Sequence, residues 1–426
     1  MSAHISSDGS RRPGFREFVA LIAALIASQA LAIDAMLPAL PSIGKALDLV
    51  IGNHSQWVIT SYVIGLASGQ LCWGFISDRF GRRPVLIGGL VLYTIAAILC
   101  GLSTSFGALL AWRFAHGLAA ASMVVARSVI RDLYSGRQMA RVMSLTFIVF
   151  LIVPIVAPSI GQLILRVATW RDIFIVMGIF GALAGLWTAL RLPETLHPAY
   201  RRTLSVRHIV SGAKLVLTNR ISICYTLAQS VLLGALMAYI GTVQQIVSEV
   251  YHHGSRMPAL FALTAVAMGL TSYLNARVVE RVGMRSMAHT ALLAYILVAL
   301  VHVLVATLHV EPLWVFVLVQ SASLASFGLA VSNFGAIAME PLGPIAGIAA
   351  SLQGFISQFL SAVVGALIGW YVHATTVPLA IGALCCSLGA LLFALLAENG
   401  RLFSSRNEIS GDGPAAGVPA GLSGPH

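Results

Sequence analysis

Twelve apolar stretches of about 20 residues, the length that crosses roughly 30 Å of hydrocarbon, follow one another along this chain of 426 residues. They run approximately over 17-41, 55-76, 84-104, 106-130, 141-165, 170-191, 220-247, 257-279, 286-308, 312-338, 345-371 and 376-397. Hydrophobic residues make up 58% of the chain and charged residues 10%, against about 25% charged in soluble domains. A water-soluble core cannot hide so much apolar surface, and the mean hydropathy of +0.89 agrees. The sequence therefore predicts an all-α membrane protein with twelve transmembrane helices.

The formal charge of +11 is carried almost wholly by arginine, Lys45 and Lys214 being the only lysines. Nucleic-acid binding gathers such charge on a soluble face with stacking aromatics. Here it sits in short links between apolar runs, so no nucleic-acid partner is expected. Its distribution is one-sided: Arg11, Arg12, Arg16, Arg79, Arg82, Arg83, Arg131, Arg137, Arg141, Arg191, Arg201, Arg202, Arg207, Lys214, Arg220, Arg277, Arg281, Arg285, Arg401 and Arg406 fall on one side. The opposite links keep only Lys45, Arg166, Arg171 and Arg256. The positive-inside rule then places both termini in the cytoplasm. The five cysteines lie in apolar segments without metal-ligand spacing, so they read as small buried hydrophobes, and no metal site is expected.

Residues 1-191 carry six spans, 192-219 form a polar, basic, cytosolic linker, and 220-400 carry six more. Residues 401-426 turn into Gly, Pro, Ser and Ala with little that packs, which predicts a disordered cytoplasmic tail. The halves repeat one another. Gly74-Phe75-Ile76-Ser77-Asp78-Arg79-Phe80-Gly81-Arg82-Arg83 follows the second span, and Ala276-Arg277-Val278-Val279-Glu280-Arg281-Val282-Gly283-Met284-Arg285 follows the eighth. A shift of 202 positions lays Asp78 on Glu280, Arg79 on Arg281, Gly81 on Gly283 and Arg83 on Arg285. Parallel repeats about an axis along the membrane normal produce such a pattern, with a binding site between the repeats near the midplane.

The stretch from Gly74 to Leu86, G-x-x-x-D-R-x-G-R-R-x-x-L, resembles the signature loop of the major facilitator superfamily. Arg113-Phe114-Ala115-His116-Gly117, Ala126-Arg127-Ser128-Val129-Ile130-Arg131-Asp132, Pro154-Ile155-Val156-Ala157-Pro158-Ser159-Ile160-Gly161, Trp170-Arg171-Asp172 and Leu192-Pro193-Glu194-Thr195 are similar to segments of its Bcr/CflA branch, the bicyclomycin-resistance type. The resemblance spans about 20-400. It implies two pseudo-symmetric six-helix bundles and a multidrug efflux antiporter of the bacterial inner membrane, driven by protons without another cofactor and functional as a monomer. It also implies a conformational latch at Gly74, Asp78, Arg79, Gly81, Arg82 and Arg83 that ties the bundles together at the cytoplasmic side, with a weaker copy at Glu280 and Arg281. In the fifth span it implies an exporter-type kink at Pro154, Pro158 and Gly161. The physical alternatives are a basic cytoplasmic turn and a prolyl kink with no directional meaning. A symporter or metabolite exporter on the same fold stays open, because fold does not fix direction or substrate.

Asp34 is the only carboxylate well inside an expected span. An ionisable group in hydrocarbon costs several kcal/mol and marks a functional site by default. Arg113 is its expected partner: at about 1.5 Å per residue, both lie roughly 10–12 Å below the same surface. A neighbouring guanidinium favours the ionised acid and burial favours the protonated one, so the balance shifts as a cavity opens or closes. A static ion pair that only specifies packing is the alternative. Gln29, Trp57, His116, Met123, Tyr239, Gln244, Met268, Asn333, Phe334, Gln353 and Gln358 are candidates to line the cavity for drug-like small molecules, and His116 is also a candidate proton relay. Gly65 with Gly69, Gly181 with Gly185, and Gly365 with Gly369 have the spacing of close helix contacts. The chain has no nucleotide-binding phosphate loop, H-E-x-x-H or G-x-S-x-G, so an enzyme is not expected.

Overall fold

In lipid each backbone polar group needs an internal partner, and apolar runs of this length meet that demand as helices. The computed structural model describes residues 13–49, 55–134, 136–196, 206–373 and 375–403, and among these every regular element is helical. Arg11, Arg12, Arg201, Arg202, Arg406 and the tail expected to be disordered beyond residue 403 lie outside the described residues.

Helix α1 (Phe15–Asp34) breaks into a short turn, Leu37–Ala39, before α2 (Leu40–Ala46). Then come α3 (Trp57–Phe80), α4 (Arg82–Gly101), α5 (Phe106–Ala120) continuing through a tight turn into α6 (Val125–Leu133), α7 (Gly136–Val167) and α8 (Trp170–Arg191). These form the first bundle. The linker contains a helix of its own, α9 (Val206–Thr218). The second bundle holds α10 (Arg220–Gln245), α11 (Met257–Val282), α12 (Met284–Thr307), α13 (Leu313–Met339), α14 (Ala346–Tyr371) and α15 (Val377–Ala397).

Among the described residues, eleven helical runs are long and apolar enough to cross a membrane. The remaining expected span lies in α7, which is 32 residues long and of which Ile152–Val167 counts as an apolar stretch among the described residues. Leucines such as Leu163, Leu297, Leu318 and Leu367 stand exposed on the outside of the bundles. In water such a belt is an aggregation surface, whereas lipid tails accept it at no cost.

Three larger cores, besides a small one of Val216, Leu342 and Ala349, organise the interior among the described residues. At the arginine-poor end one apolar core runs through both bundles, joining Met36, Tyr62 and Phe174 to Tyr239, Val243 and Phe316. At the arginine-rich end each bundle keeps its own core, around Leu21, Leu86 and Ile130 in the first and Tyr225, Leu292 and Phe334 in the second. The bundles are thus sealed together more tightly at one end than at the other. Close helix contacts occur where the small residues recur. A Cβ at Gly65 would stand 2.0 Å from the Phe114 carbonyl oxygen, one at Gly181 2.6 Å from the Tyr93 ring, and one at Gly365 2.6 Å from Met237 Cβ. Packing, rather than substrate contact, explains these glycines.

The repeat is visible in the backbone as well. Gly81 and Gly283 both sit at the junction of two helices with positive φ, +103° and +86°, a region where a side chain is strained.

Candidate functional site

Asp34 is the last residue of α1, and the break that follows it has a local cause. Pro38 and Pro41 have no N–H to give the carbonyls of Asp34 and Leu37. The chain instead closes shorter turns, with Met36 N–H donating to Ile33 and Ala39 N–H to Met36. Met36 therefore does not serve Ala32, the carbonyl an uninterrupted helix would give it. Arg113 serves it instead: Nη2 donates to the Ala32 carbonyl at 3.1 Å, and Nε donates to the Val58 carbonyl at 3.0 Å.

The guanidinium of Arg113 is wholly buried. It lies 4.4 Å from the Tyr62 ring centroid and 5.6 Å from that of Phe174, contacts whose negative faces favour a cation. Nη1 donates to His116 Nδ1 at 3.3 Å, which leaves the ring proton on Nε2, and that nitrogen has no partner. An imidazole held in this way gives its one acceptor to Arg113.

The expected ion pair is not formed. Arg113 reaches the backbone two residues before Asp34 rather than its carboxylate, because the broken helix presents a carbonyl that needs a donor. Asp34 is 4% exposed and makes no hydrogen bond or ion pair among the described residues. From α7, a Cβ at Gly161 would stand 2.0 Å from the Ala35 carbonyl oxygen, so a glycine there lets the helix rest on the chain just after the acid. One residue on, Gln162 Nε2 donates across to the Ser255 carbonyl of the second bundle at 3.4 Å.

The expected cavity residues do not gather around one space. Gln29 donates to the Ala120 carbonyl at 2.7 Å, and Met123 lies in the first bundle's own core. Trp57 stands edge-on to Trp370 across the bundle interface. Tyr239 is bonded to Thr264, Asn333 donates to Asn275, and Met268 packs beside Gly328. Phe334 packs on Tyr225 and Gln353 donates to Ser222, both inside the second bundle, while Gln358 is half-buried on α14. Between α3, α10 and α14 the interface encloses about 10 Å³ beside Gln56, Thr60 and Gly241, room for about one water. Gln56 was not singled out from the sequence, yet its buried Nε2 has no partner, and neither does the buried Oε1 of Gln244.

The signature loop is tied within its own bundle. Arg82 Nη1 pairs with Asp78 at 2.5 Å, and its Nε pairs with Asp132 at 3.1 Å. Glu194 accepts from the backbone N–H groups of Arg82 and Arg83 at 2.9 and 3.3 Å, capping the start of α4 where unserved donors and the helix dipole favour a negative charge. A Cβ at Gly81 would meet that carboxylate at 2.3 Å. Arg79 and Arg281 are exposed, and the Glu280 side chain lies outside what is described. Asp78 thus faces its own bundle. The contact between bundles at this end comes instead from α3 against α14, with Gly74 beside Ser351 and Gln70 beside Gly354.

The second bundle has a counterpart that the sequence comparison missed. Arg285, the equivalent of Arg83, pairs with Glu340 and Glu398 at 2.8 Å each. Glu340 and Glu398 follow α13 and α15 as Asp132 and Glu194 close the fourth and sixth spans of the first half. That matching placement was the available signal.

The family model described as Major Facilitator Superfamily matches residues 21–366. The Bicyclomycin resistance protein homolog of Haemophilus influenzae is 30% identical over 368 residues, 85% of this chain and 92% of that protein. Multidrug resistance protein MdtL of Klebsiella pneumoniae is 28% identical over 369 residues, 85% of this chain and 91% of its own length. A solved D-xylose-proton symporter shares the fold with a TM-score of 0.71 at 15% identity, over 90% of this chain and 96% of that one. Two helical bundles, a loop repeated at the same junction in each, and a family match over most of the length agree: the chain is a multi-pass membrane transporter, not an enzyme, and belongs to the major facilitator superfamily, among relatives of the bicyclomycin-resistance type.

Proposed function

We propose that this transporter is a proton-driven antiporter that exports small, mostly amphipathic compounds across a bacterial inner membrane, with its arginine-rich end and both termini in the cytoplasm. The observation that carries the reading is Asp34, a buried carboxylate without hydrogen bond or ion pair at a break in α1. Left alone in such surroundings it is costly when ionised, so it holds a proton until substrate or a rearranged Arg113 compensates its charge. Two charge states favoured by two arrangements are what coupled exchange requires.

The same turn of α7 rests on Ala35 through Gly161 and reaches the second bundle through Gln162, so a change at the break has a direct path to the bundle interface. The one-sided arginines support the orientation, and the names of the relatives supply the class of cargo. Protons moving inward deliver about 2.3 kcal/mol per charge for each 100 mV. No other cofactor is needed, and one chain suffices.

The test uses inside-out vesicles and a chemically diverse set of compounds, with an imposed pH gradient. Asp34→Asn abolishes gradient-driven accumulation while the protein remains folded in the membrane. Accumulation by that variant at the wild-type rate would overturn the assignment, and reversing the pH gradient separates antiport from symport.

A further inference from the structure

We infer that His302 and Glu311 form a second proton-binding site, at the arginine-poor end of the second bundle, which clamps the ends of its helices together. His302 lies in the last turns of α12, and Glu311 lies in the link to α13. Their side chains are 2% and 5% exposed, with Nε2 and Oε1 2.9 Å apart, near enough to pair yet out of hydrogen-bond alignment. Two further elements converge on the acid, and a third packs beside the imidazole. Thr376, before α15, donates to its other oxygen. Tyr251, beyond α10, donates through its hydroxyl to the Glu311 carbonyl at 3.2 Å. Phe316 of α13 stands against both the His302 ring and the Tyr251 ring, at 6.1 and 5.5 Å. Tyr251 is a further titratable group brought to the pair.

A buried acid and imidazole together can hold two, one or no protons, with net charges of +1, 0 and −1. Burial penalises the two charged forms, so the clamp is strongest with one proton. Loss of the shared proton leaves an uncompensated anion and gain of a second leaves a lone cation, so the clamp weakens toward either extreme of pH. The inference is independent of transport direction and of the role of Asp34. It adds a site whose occupancy follows the pH of the compartment at that end.

The experiment is done on the full chain purified in detergent, in an Asp34→Asn background so that Asp34 contributes nothing. Thermal unfolding midpoints are measured across pH 5 to 9 for the background and for its His302→Gln, Glu311→Gln and double variants. A midpoint that peaks between the two extremes and falls by several degrees on the alkaline side is expected. Each single variant should lose that profile, and the double variant should be less destabilised than the sum of the two. Proton-induced difference infrared spectra should show a carboxyl band that disappears in Glu311→Gln. If a single variant does not fold, the double variant, which leaves no buried charge behind, still reports on the profile and the band. A profile kept unchanged in the double variant, strictly additive losses, or a carboxyl band indifferent to Glu311 would each overturn the site.

Discussion

In the first bundle an acid and a guanidinium lie buried near one another without touching, whereas in the second an acid and an imidazole are 2.9 Å apart and held by three further elements. Asp34 sits where two prolines interrupt a helix, so its surroundings are set by a short irregular segment that can be rearranged without breaking a helix. Glu311 meets the side chains of His302, Thr376 and Tyr251, from three places in its bundle, so its surroundings cannot change without loosening helix ends. The first arrangement suits an acid that exchanges its charge during a cycle. The second suits one that holds a structure together and responds to pH through stability.

The sharpest way to break this contrast is to neutralise each acid in turn. Asp34→Asn removes no observed partner, so thermal unfolding should change little while gradient-driven transport is lost. Glu311→Gln leaves His302 without its charge partner, and one-sided removal from a buried pair costs about 3–5 kcal/mol. Its midpoint should fall markedly. If the two variants exchange these phenotypes, the division of labour is wrong.

Arg113→Lys tests whether the buried cation is held by geometry or by charge alone. A lysine keeps the charge but cannot present the guanidinium fork to the Ala32 and Val58 carbonyls together, and each buried acceptor left unserved costs about 1–3 kcal/mol. The expected result is a lower unfolding midpoint with no rescue by pH. A variant as stable as the wild type would mean that the carbonyl contacts carry little weight, and that a closer Asp34–Arg113 approach dominates in solution.

Gly161→Ala comes next. Its methyl would overlap the Ala35 carbonyl oxygen, and backbone cannot give way as a side-chain tip does. Overpacking of this kind costs about 1–3 kcal/mol, and the shift falls on the residue after Asp34, so the pH dependence of transport should move with it. A change in stability without a change in that dependence would leave Gly161 as packing alone.

The legibility of these features followed from where each residue sits. Asp34 stood out because it is one acid in a long apolar run, and the depth of Arg113 followed from helix rise. Their relation did not, because the acceptor that captures Arg113 exists only once the helix has broken. Glu311 escaped notice because it lies in a link between spans, where an acid is ordinary, and His302 because one histidine in an apolar run is usually packed. Glu194 was legible as part of a motif, but its role as the cap of α4 depends on α8 ending beside the start of α4. Phe334 and Gln353 show the opposite error: residue type suggests a cavity, and only the face of the helix tells that they point into their own bundle.

The smallest expected effect is also the most discriminating for the signature loop. Gly74 and Gly161 both lie where one helix meets another element, but a Cβ at Gly74 would stand 3.4 Å from Ser351 Oγ, an ordinary contact with a movable side chain. Gly74→Ala should therefore leave the stability within about 0.5 kcal/mol of wild type, as substitutions without a named clash generally do. Its contact nevertheless joins the two bundles at the end where they keep separate cores, and α3 and α14 must part there if the arginine-rich end is to open further. An added methyl at such a seam changes the balance between closed and open forms more than it changes folding. Transport rate should respond while stability does not, and cross-linking yield between cysteines placed at Gln70 and Gly354 would report the shift. Equal yields with an altered rate would move the gate away from this seam, toward the α7 and α11 contact at the opposite end.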